Sequence, residues 1–358
     1  MSGKTSDRRR GLSKLAFVWQ ASCRVKNEHN VSRLKQFSNL VIIYICRQLG
    51  PTLYYEVGFW RPEWTLSRQF GFMNHSRYKK RVAQLNPVQY QKLSQHKLAE
   101  KAILQLLAIP TPEYLGFFHS EKGACDIGES LIDADSLQRF LMNLVGETVC
   151  FKPVEGYGGT GFVAARVVAD SEGVGLHRLD CSEPESIEKF TDNHLKHPDG
   201  FVIERYLEQH KDMLEINASS VNTLRIWVRQ IKGDVVVLGV LLRIGRAGAM
   251  VDNSGQGGLI ANVDLESGML ERCRTTDVFP VYYNEHPDSG APIKGRKLPH
   301  WSACLALAKR ALLNFPMAGF AGLDMAIGKD GPQIIELNLW PDRVSARVFG
   351  KSHKEMLG

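Results

Sequence analysis

The stretch from Phe320 to Pro341, FAGLDMAIGKDGPQIIELNLWP, holds three oxygen donors, Asp324, Glu336 and Asn338, at spacings that a β-hairpin would turn into a group. Apolar-rich runs flank Gly328-Lys329-Asp330-Gly331, a turn-forming cluster, and together they predict a hairpin. Side chains alternate faces along a strand, so Glu336 and Asn338 point the same way. Closing the hairpin about its turn brings Asp324 opposite or nearly opposite Glu336. Two carboxylates held that close repel unless one keeps its proton or a cation sits between them. Hard oxygen donors, few in number and with room for phosphate oxygens, suit Mg²⁺. Two unrelated acids at a sheet edge is the other reading of the same residues.

A second candidate lies earlier, where Gly156-Tyr157-Gly158-Gly159-Thr160-Gly161 has the form GxGxxG. A dinucleotide fingerprint must open a helix, but the residues that follow, Phe162 to Val168, are β-rich. A Walker loop needs Gly-Lys-Ser/Thr, which is missing. What remains is a strand–loop–strand hairpin of the kind that folds over nucleotide phosphates, with glycines letting backbone N–H groups approach. Lys152, at the end of the preceding strand, would bring its ammonium to the same phosphates. A surface hairpin with an ordinary lysine is the alternative. Between these two motifs, Arg225 and Arg243 fall on two β-branched runs joined at Lys232-Gly233-Asp234, another hairpin signal. Arginine offers a bidentate fork for a phosphate or a carboxylate. Asn253, Ser254, Gly257 and Gly258 form a polar loop that could bind substrate or simply connect elements.

The elements that must position these groups are read from 358 residues, 44% of them hydrophobic, enough for one large core or several modest ones. No apolar run approaches the ~18 residues of a membrane span, and MSGKTSDRRR has no signal-type apolar region. Seven cysteines without regular spacing predict reduced thiols in a cytoplasmic protein. Net charge is +7, but residues 1–100 carry 18 Lys/Arg against 5 Asp/Glu, so that third holds +13 and the remainder −6. Such a segment could face an anionic partner or be a solvated basic surface. Its aromatics, Tyr54, Tyr55, Phe59, Trp60 and Trp64, come without a nucleic-acid module signature and read as packing.

Helical spacing is expected from about residue 13 to 50, with Gly50-Pro51 as a sharp stop, and again at about 87 to 107. Residues 52–85 give no clear order. Strands are expected at 148–151, 162–168, 201–204, 224–230 and 235–243, and helices at 186–195 and 299–315. His286 and His300, each beside a proline, are expected at the surface. Interspersed helices and frequent hairpins predict an α+β fold with largely antiparallel sheets.

The order of these parts resembles the ATP-grasp superfamily. The matching segments are Phe151-Lys152-Pro153 with the glycine loop, Val202 to Leu207 (VIERYL), Gly322-Leu323-Asp324, and Ile335 to Pro341 (IELNLWP). Asn222 to Ile226 (NTLRI) and Val251 to Gly258 (VDNSGQGG) resemble more narrowly the sugar-transfer-associated ATP-grasp group. The resemblance covers about residues 90 to 345. Residues 1–90 read as a basic helical extension outside it, and the resemblance implies a small subdomain carrying the phosphate loop (91–203) and a large subdomain carrying the metal site (204–358), the two clasping ATP.

Residue by residue, the resemblance implies that Lys97, Lys152, Gly156, Gly158, Gly159, Thr160 and Gly161 contact the nucleotide. His96 stands where the family has Asp. Glu204, Arg205, Tyr206 and Leu207 match the hinge that reads adenine through backbone groups. Asp212 is nearest to the ribose-binding acid, with Glu208 and Glu215 as rivals. Asp324, Glu336 and Asn338 match the Mg²⁺ ligands, and Pro341-Asp342 replaces a common Pro-Gly. The implied activity is an ATP-dependent carboxylate–amine ligase working through an acyl-phosphate, with Arg225, Lys152 and Arg243 as catalytic groups. A kinase on the same scaffold, or a non-catalytic nucleotide-binding scaffold, are the alternatives. Small-molecule acid and amine substrates are the expected partners, nucleic acid is not, and an anionic partner for the basic N-terminal third is allowed.

Overall fold

The computed structural model describes residues 14–156, 158–170, 173–252 and 257–358. The chain divides into two compact units. One comprises the N-terminal segment to Arg81 with residues 277–279 and 343–358; the other comprises 82–276 and 280–342.

The first unit is helical. Helices α1 (Lys14–His29), α2 (Arg33–Arg47), α3 (Pro51–Val57) and α4 (Leu66–Gln69) surround a core of Ala21, Val25, Ile43, Tyr54, Tyr55, Phe59, Trp60, Trp64 and Phe72. The aromatics meet edge-on or tilted, as between Tyr54 and Tyr55 (centroids 5.1 Å apart) and Phe59 and Phe72 (5.0 Å). They pack, as their lack of a nucleic-acid signature suggested. Pro51 does not end the helical region: it opens α3 at the first helical position, where its missing N–H costs nothing. The long helix expected from residue 13 is two helices, separated at Asn30, whose φ is +54°, and restarted by Ser32, which caps Lys35 N.

The second unit holds two seven-stranded sheets whose pairings are all antiparallel. Its strands are β1 (Tyr114–Phe118), β2 (Ala124–Cys125), β3 (Thr148–Pro153), β4 (Val163–Asp170), β5 (Gly173–Arg178), β6 (Glu185–Ser186), β7 (Phe201–Arg205), β8 (Thr223–Ile231), β9 (Asp234–Ile244), β10 (Leu259–Asn262), β11 (Cys273–Arg274), β12 (Tyr282–Tyr283), β13 (Phe320–Gly328) and β14 (Gly331–Asn338). The first sheet runs β2-β1-β7-β3-β4-β5-β6 and the second β12-β11-β10-β9-β8-β13-β14. The α+β architecture with a helical extension is thus present.

Each sheet has its own core. In the first, Val149, Phe151, Val167, Leu176 and Ile203 pack under the helices Ala134–Leu141 and Ile187–His194. In the second, Leu224, Ile226, Leu242, Leu323 and Leu337 pack under Trp301–Asn314, which presents Cys304, Ala308, Ala311 and Leu312. The helix expected at 87–107 is interrupted. A short helix at Val88–Gln91 and a 3₁₀ turn at Lys92–Ser94 precede Lys97–Leu106, which His96 caps by accepting from Ala99 N. His286 is buried, not exposed: its Nε2 lies 2.9 Å from Gly245 O, and its Nδ1 accepts from Asp288 N and Ser289 N. The aromatic ring thereby ties two loops together. His300 is exposed.

Phe151 is fully buried, its ring 5.2 Å from that of Phe190. Phe151→Ala is expected to lower unfolding free energy by ~3–5 kcal/mol through lost transfer energy and a residual cavity. Urea titration reads this, and a change below about 1 kcal/mol would mean the site collapses around the smaller side chain.

Candidate functional site

The predicted C-terminal hairpin forms, and Asp324 stands directly opposite Glu336, with Leu323 opposite Leu337 and Gly322 opposite Asn338. A bulge follows Asp324. Strand β8 lies on the other side of β13, so Asp324 is also opposite Arg225, while Arg243 on β9 is opposite Thr223. Three adjacent strands therefore hold Arg225, Asp324 and Glu336 in one row, and Arg243 lies on the next strand, diagonal to Arg225.

Their charges interlock. Arg225 Nη2 donates to Asp324 Oδ2 at 3.1 Å and Arg243 Nη1 to the same oxygen at 3.2 Å. Arg225 Nε and Asp324 Oδ1 approach to 2.6 Å as a charge contact, without the alignment of a hydrogen bond, so both atoms are buried and unsatisfied in that sense. Burial pushes the Asp324 carboxyl above its ordinary range despite Arg243. Burial and then Asp324 do the same to Glu336, opposed by Lys97, Arg243 and Lys152. Asn338 Oδ1 accepts from Trp340 N at 2.8 Å, leaving its second lone pair. Two adjacent carboxylates whose pKa values are both raised, one with an unaligned buried oxygen, fit a hard divalent cation.

Two lysines act on the same place, Lys97 from the start of the helix Lys97–Leu106 and Lys152 from β3 of the first sheet, since both lower the pKa of Glu336. Lys152 Nζ sits 2.5 Å from Glu204 Oε2, and Lys101 Nζ 2.6 Å from Glu204 Oε1. One buried carboxylate cannot serve two ammoniums equally. Burial opposes the charge on Lys152, but Glu204 outweighs it and raises the pKa. For Lys101 burial dominates, Lys152 adds repulsion, and the pKa falls. Glu204 itself is held below its ordinary value because the two lysines outweigh its burial. Lys152 is thus the firmly charged member, while Lys101 is further anchored by Thr111 Oγ1 (2.8 Å) and Pro112 O (2.7 Å).

Lys97 Nζ donates to Gly156 O at 3.2 Å, which ties it to the glycine loop. Gly158, Gly159 and Gly161 have φ of +64°, +75° and +74°, backbone that a side chain resists. A Cβ on Gly159 would meet Val251 Cγ1 at 3.1 Å, and one on Gly161 would meet Pro153 Cγ at 2.8 Å. The loop tip therefore leans against the segment of the second sheet that carries Asp252. Thr160 is exposed in the same turn, and Tyr157 lies outside the described residues.

The predicted hinge residues and the acids after them also have partners within the fold. The Glu204 side chain is the counter-ion of the two lysines. The Arg205 N–H donates to Glu113 O and the Tyr206 N–H to Thr148 O, which leaves the Leu207 N–H as the hinge donor without a bond among the described residues. Arg205 spends its guanidinium on Glu113 (2.7 Å) and Glu147 (2.6 Å). Glu208 is paired with Lys329 at 2.6 Å and Glu215 with Arg296, so Asp212, 3.7 Å from His210 Nδ1, is the least committed acid after the hinge. Gly257 and Gly258 border the site segment, while Asn253 and Ser254 lie outside the described residues.

Sequence reasoning overlooked Lys101, Glu100 and Asp252. Glu100 is buried, accepts from Leu337 N, and has a pKa raised first by burial and then by Glu336. Asp252 accepts from Thr223 N (2.8 Å) and Thr223 Oγ1 (2.5 Å) and faces Arg243, its pKa raised by burial. The i, i+4 pair Lys97 and Lys101 on one helix was the available signal for the first of these.

With this geometry in hand, a family model for sugar-transfer-associated ATP-grasp proteins matches residues 75–352. The chain belongs to the sugar-transfer-associated ATP-grasp family. A search of curated proteins returned no match. Among solved structures, this ATP-grasp chain is similar to a Campylobacter jejuni biotin carboxylase in a β-γ-ATP complex, at 14% identity over 76% of this chain and 47% of that one (TM-score 0.42). It is similar to D-alanyl-alanine synthetase A from Vibrio cholerae at 11% identity over 74% and 59% (0.41). It is also similar to a carboxyaminoimidazole ribonucleotide synthase from Aspergillus clavatus complexed with ATP, at 14% over 76% and 55% (0.40). The chain spans about half the length of these structures, and at such identities the likeness says nothing of substrate.

Glu204→Gln removes the only charge shared by Lys101 and Lys152 and leaves two buried ammoniums facing an amide. A loss of ~3–5 kcal/mol in unfolding free energy is expected. A urea midpoint within error of wild type would show that the two lysines find other counter-charges.

Proposed function

We propose that this ATP-grasp chain is an ATP-dependent carboxylate–amine ligase that activates its acid as an acyl-phosphate. The observation that carries the reading is the row Arg225–Asp324–Glu336 on adjacent strands with Arg243 diagonal to it, and with Lys97 from a helix and Lys152 from the other sheet acting on Glu336. Residues 91–203 and 204–345 would then act as the two lobes on either side of the nucleotide. Asp324, Glu336 and Asn338 would hold Mg²⁺, which when bound spreads the negative charge of phosphate oxygens.

In this reading Lys152 neutralises phosphate charge from a fixed position, because Glu204 holds its ammonium in place. Lys97 and the glycine loop close over the phosphates, with backbone N–H groups as donors. The Leu207 N–H is the hinge donor left for the adenine edge. Arg225 and Arg243 line the transfer path. The substrate carboxylate attacks the γ-phosphorus, the bond to the bridging oxygen breaks, and ADP leaves. An amine then adds to the acyl carbon and expels phosphate, giving an amide. Exclusion of water by the loop protects the acyl-phosphate in between.

Incubation with ATP, Mg²⁺ and pooled acids and amines is expected to release phosphate only when both pools are present, with mass spectrometry identifying an amide. A stable phosphoester formed without an amine would make the protein a kinase instead. Arg225→Ala is expected to lower kcat by about 10²–10³-fold, in the range of a lost transition-state donor.

The carboxylates also predict a pH signature. Asp324 and Glu336 have raised pKa values in the folded chain. Their contribution to stability is complete below the unfolded carboxylate pKa and is lost as pH rises through the raised folded values. Mg²⁺ is therefore expected to raise the thermal midpoint near about pH 8, where the pair is ionised, and much less near about pH 4, where it holds protons. Scanning fluorimetry reads the difference, and an equal response from Glu336→Gln would place the cation elsewhere.

A further inference from the structure

Helix α2 has two apolar stripes on opposite sides. Its inner stripe is the one the fold uses: Ile43 is fully buried, and Gln36 beside it bonds to Ser22 O and Val31 O and accepts from Tyr55. At 100° per residue, Leu34, Val41 and Ile45 lie within about 40° of one another and roughly opposite Ile43. They are 78%, 56% and 74% exposed, with Tyr44 (62%) and Ile42 (40%) on the flanks of the same stripe. Among the described residues, no packing in the helical unit accounts for this second stripe. Arg33 lays its guanidinium over the Trp19 ring, 3.4 Å from its centroid, so that α1 adds the half-exposed Trp19 beside the start of α2.

The charge around the stripe decides what would cover it. On α2, Arg33 and Lys35 flank the stripe, about 100° to either side of Leu34, while Arg47 turns over the Phe70 ring; on α1, Lys26 is exposed, and the one acid of the two helices, Glu28, is paired by Arg24 at 2.8 Å. An apolar strip with Trp and Tyr at its margins, set in a field of cations, has the make-up of a helix lying in a membrane interface. A purely apolar protein partner would not call for the cations, and a second copy would bring like charge against like. No helix of the described residues is long and apolar enough to cross a membrane, so the contact would be with the surface only.

We propose that the outer face of α1 and α2 docks this protein on an anionic lipid surface, with Leu34, Val41 and Ile45 entering the headgroup boundary and the surrounding Lys and Arg meeting the phosphates and carboxylates of the lipid heads. This rests on the helical unit alone and is independent of the ligase reading.

The test is flotation of the full-length protein with phosphatidylcholine vesicles made with and without phosphatidylserine. Binding to the phosphatidylserine vesicles is expected to exceed binding to the neutral ones by at least about tenfold and to fall as salt is raised. The triple variant Leu34→Ser/Val41→Ser/Ile45→Ser touches only exposed positions; it is expected to keep the wild-type thermal midpoint and lose flotation. Lys35→Glu is expected to weaken flotation without abolishing it. Failure of the wild type to float with either vesicle overturns the proposal, as does flotation of the triple variant at the wild-type level. If light scattering shows a wild-type dimer that the triple variant breaks, with no flotation by either, the stripe is a self-association face and the lipid reading is wrong.

Discussion

Like charges brought close together inside a sheet are costly, and most of the site follows from how that cost is met. Asp324 and Glu336 are cross-strand neighbours whose carboxyls are both driven upward by burial and, for Glu336, by each other's proximity. Arg225 and Arg243 converge on Asp324 from one side; Lys97, on a helix, and Lys152, on the other sheet, act on Glu336. Arg225 is buried and Lys97, Lys152 and Arg243 are half-buried, so the cations need the acids as the acids need them. Removing any one member exposes the others to an unbalanced field, which makes the group a unit rather than a set of separable contacts.

The lysines show the same economy on a smaller scale. Glu204 sits between Lys101 and Lys152, and the two do not share it evenly. Lys152 keeps its charge firmly, whereas Lys101 is disfavoured by burial and by its neighbour, and leans on Thr111 and Pro112. The outcome is a single strongly held ammonium at the end of β3, immediately before the glycine loop. Positive φ at three of the loop glycines lets its backbone turn there without side-chain clash. A positioned charge next to a bare backbone is what phosphate binding requires.

The helical unit obeys a different constraint. It buries its aromatics against one another and leaves a second apolar stripe of α2 outside. Nothing among the described residues covers that stripe, which is why an anionic surface is proposed for it.

The local pattern alone determined the strands and turns that carry the chemistry. Two-residue alternation and glycine turns placed β3, β4, β8, β9, β13 and β14 to within a few residues, because a hairpin is specified by neighbours in sequence. That sufficed to set Asp324 opposite Glu336. Tertiary structure decided which side chains those strands would use. Lys101 was hidden because its partner, Glu204, is far away in sequence, and Glu100 because a lone acid on a helix looks solvated until a strand is laid against it. The burial of His286 depended on two loops meeting. Residues 52–85 resisted reading because their aromatics have no single period; they pack on one another in space, and only the assembled core shows which faces turn inward.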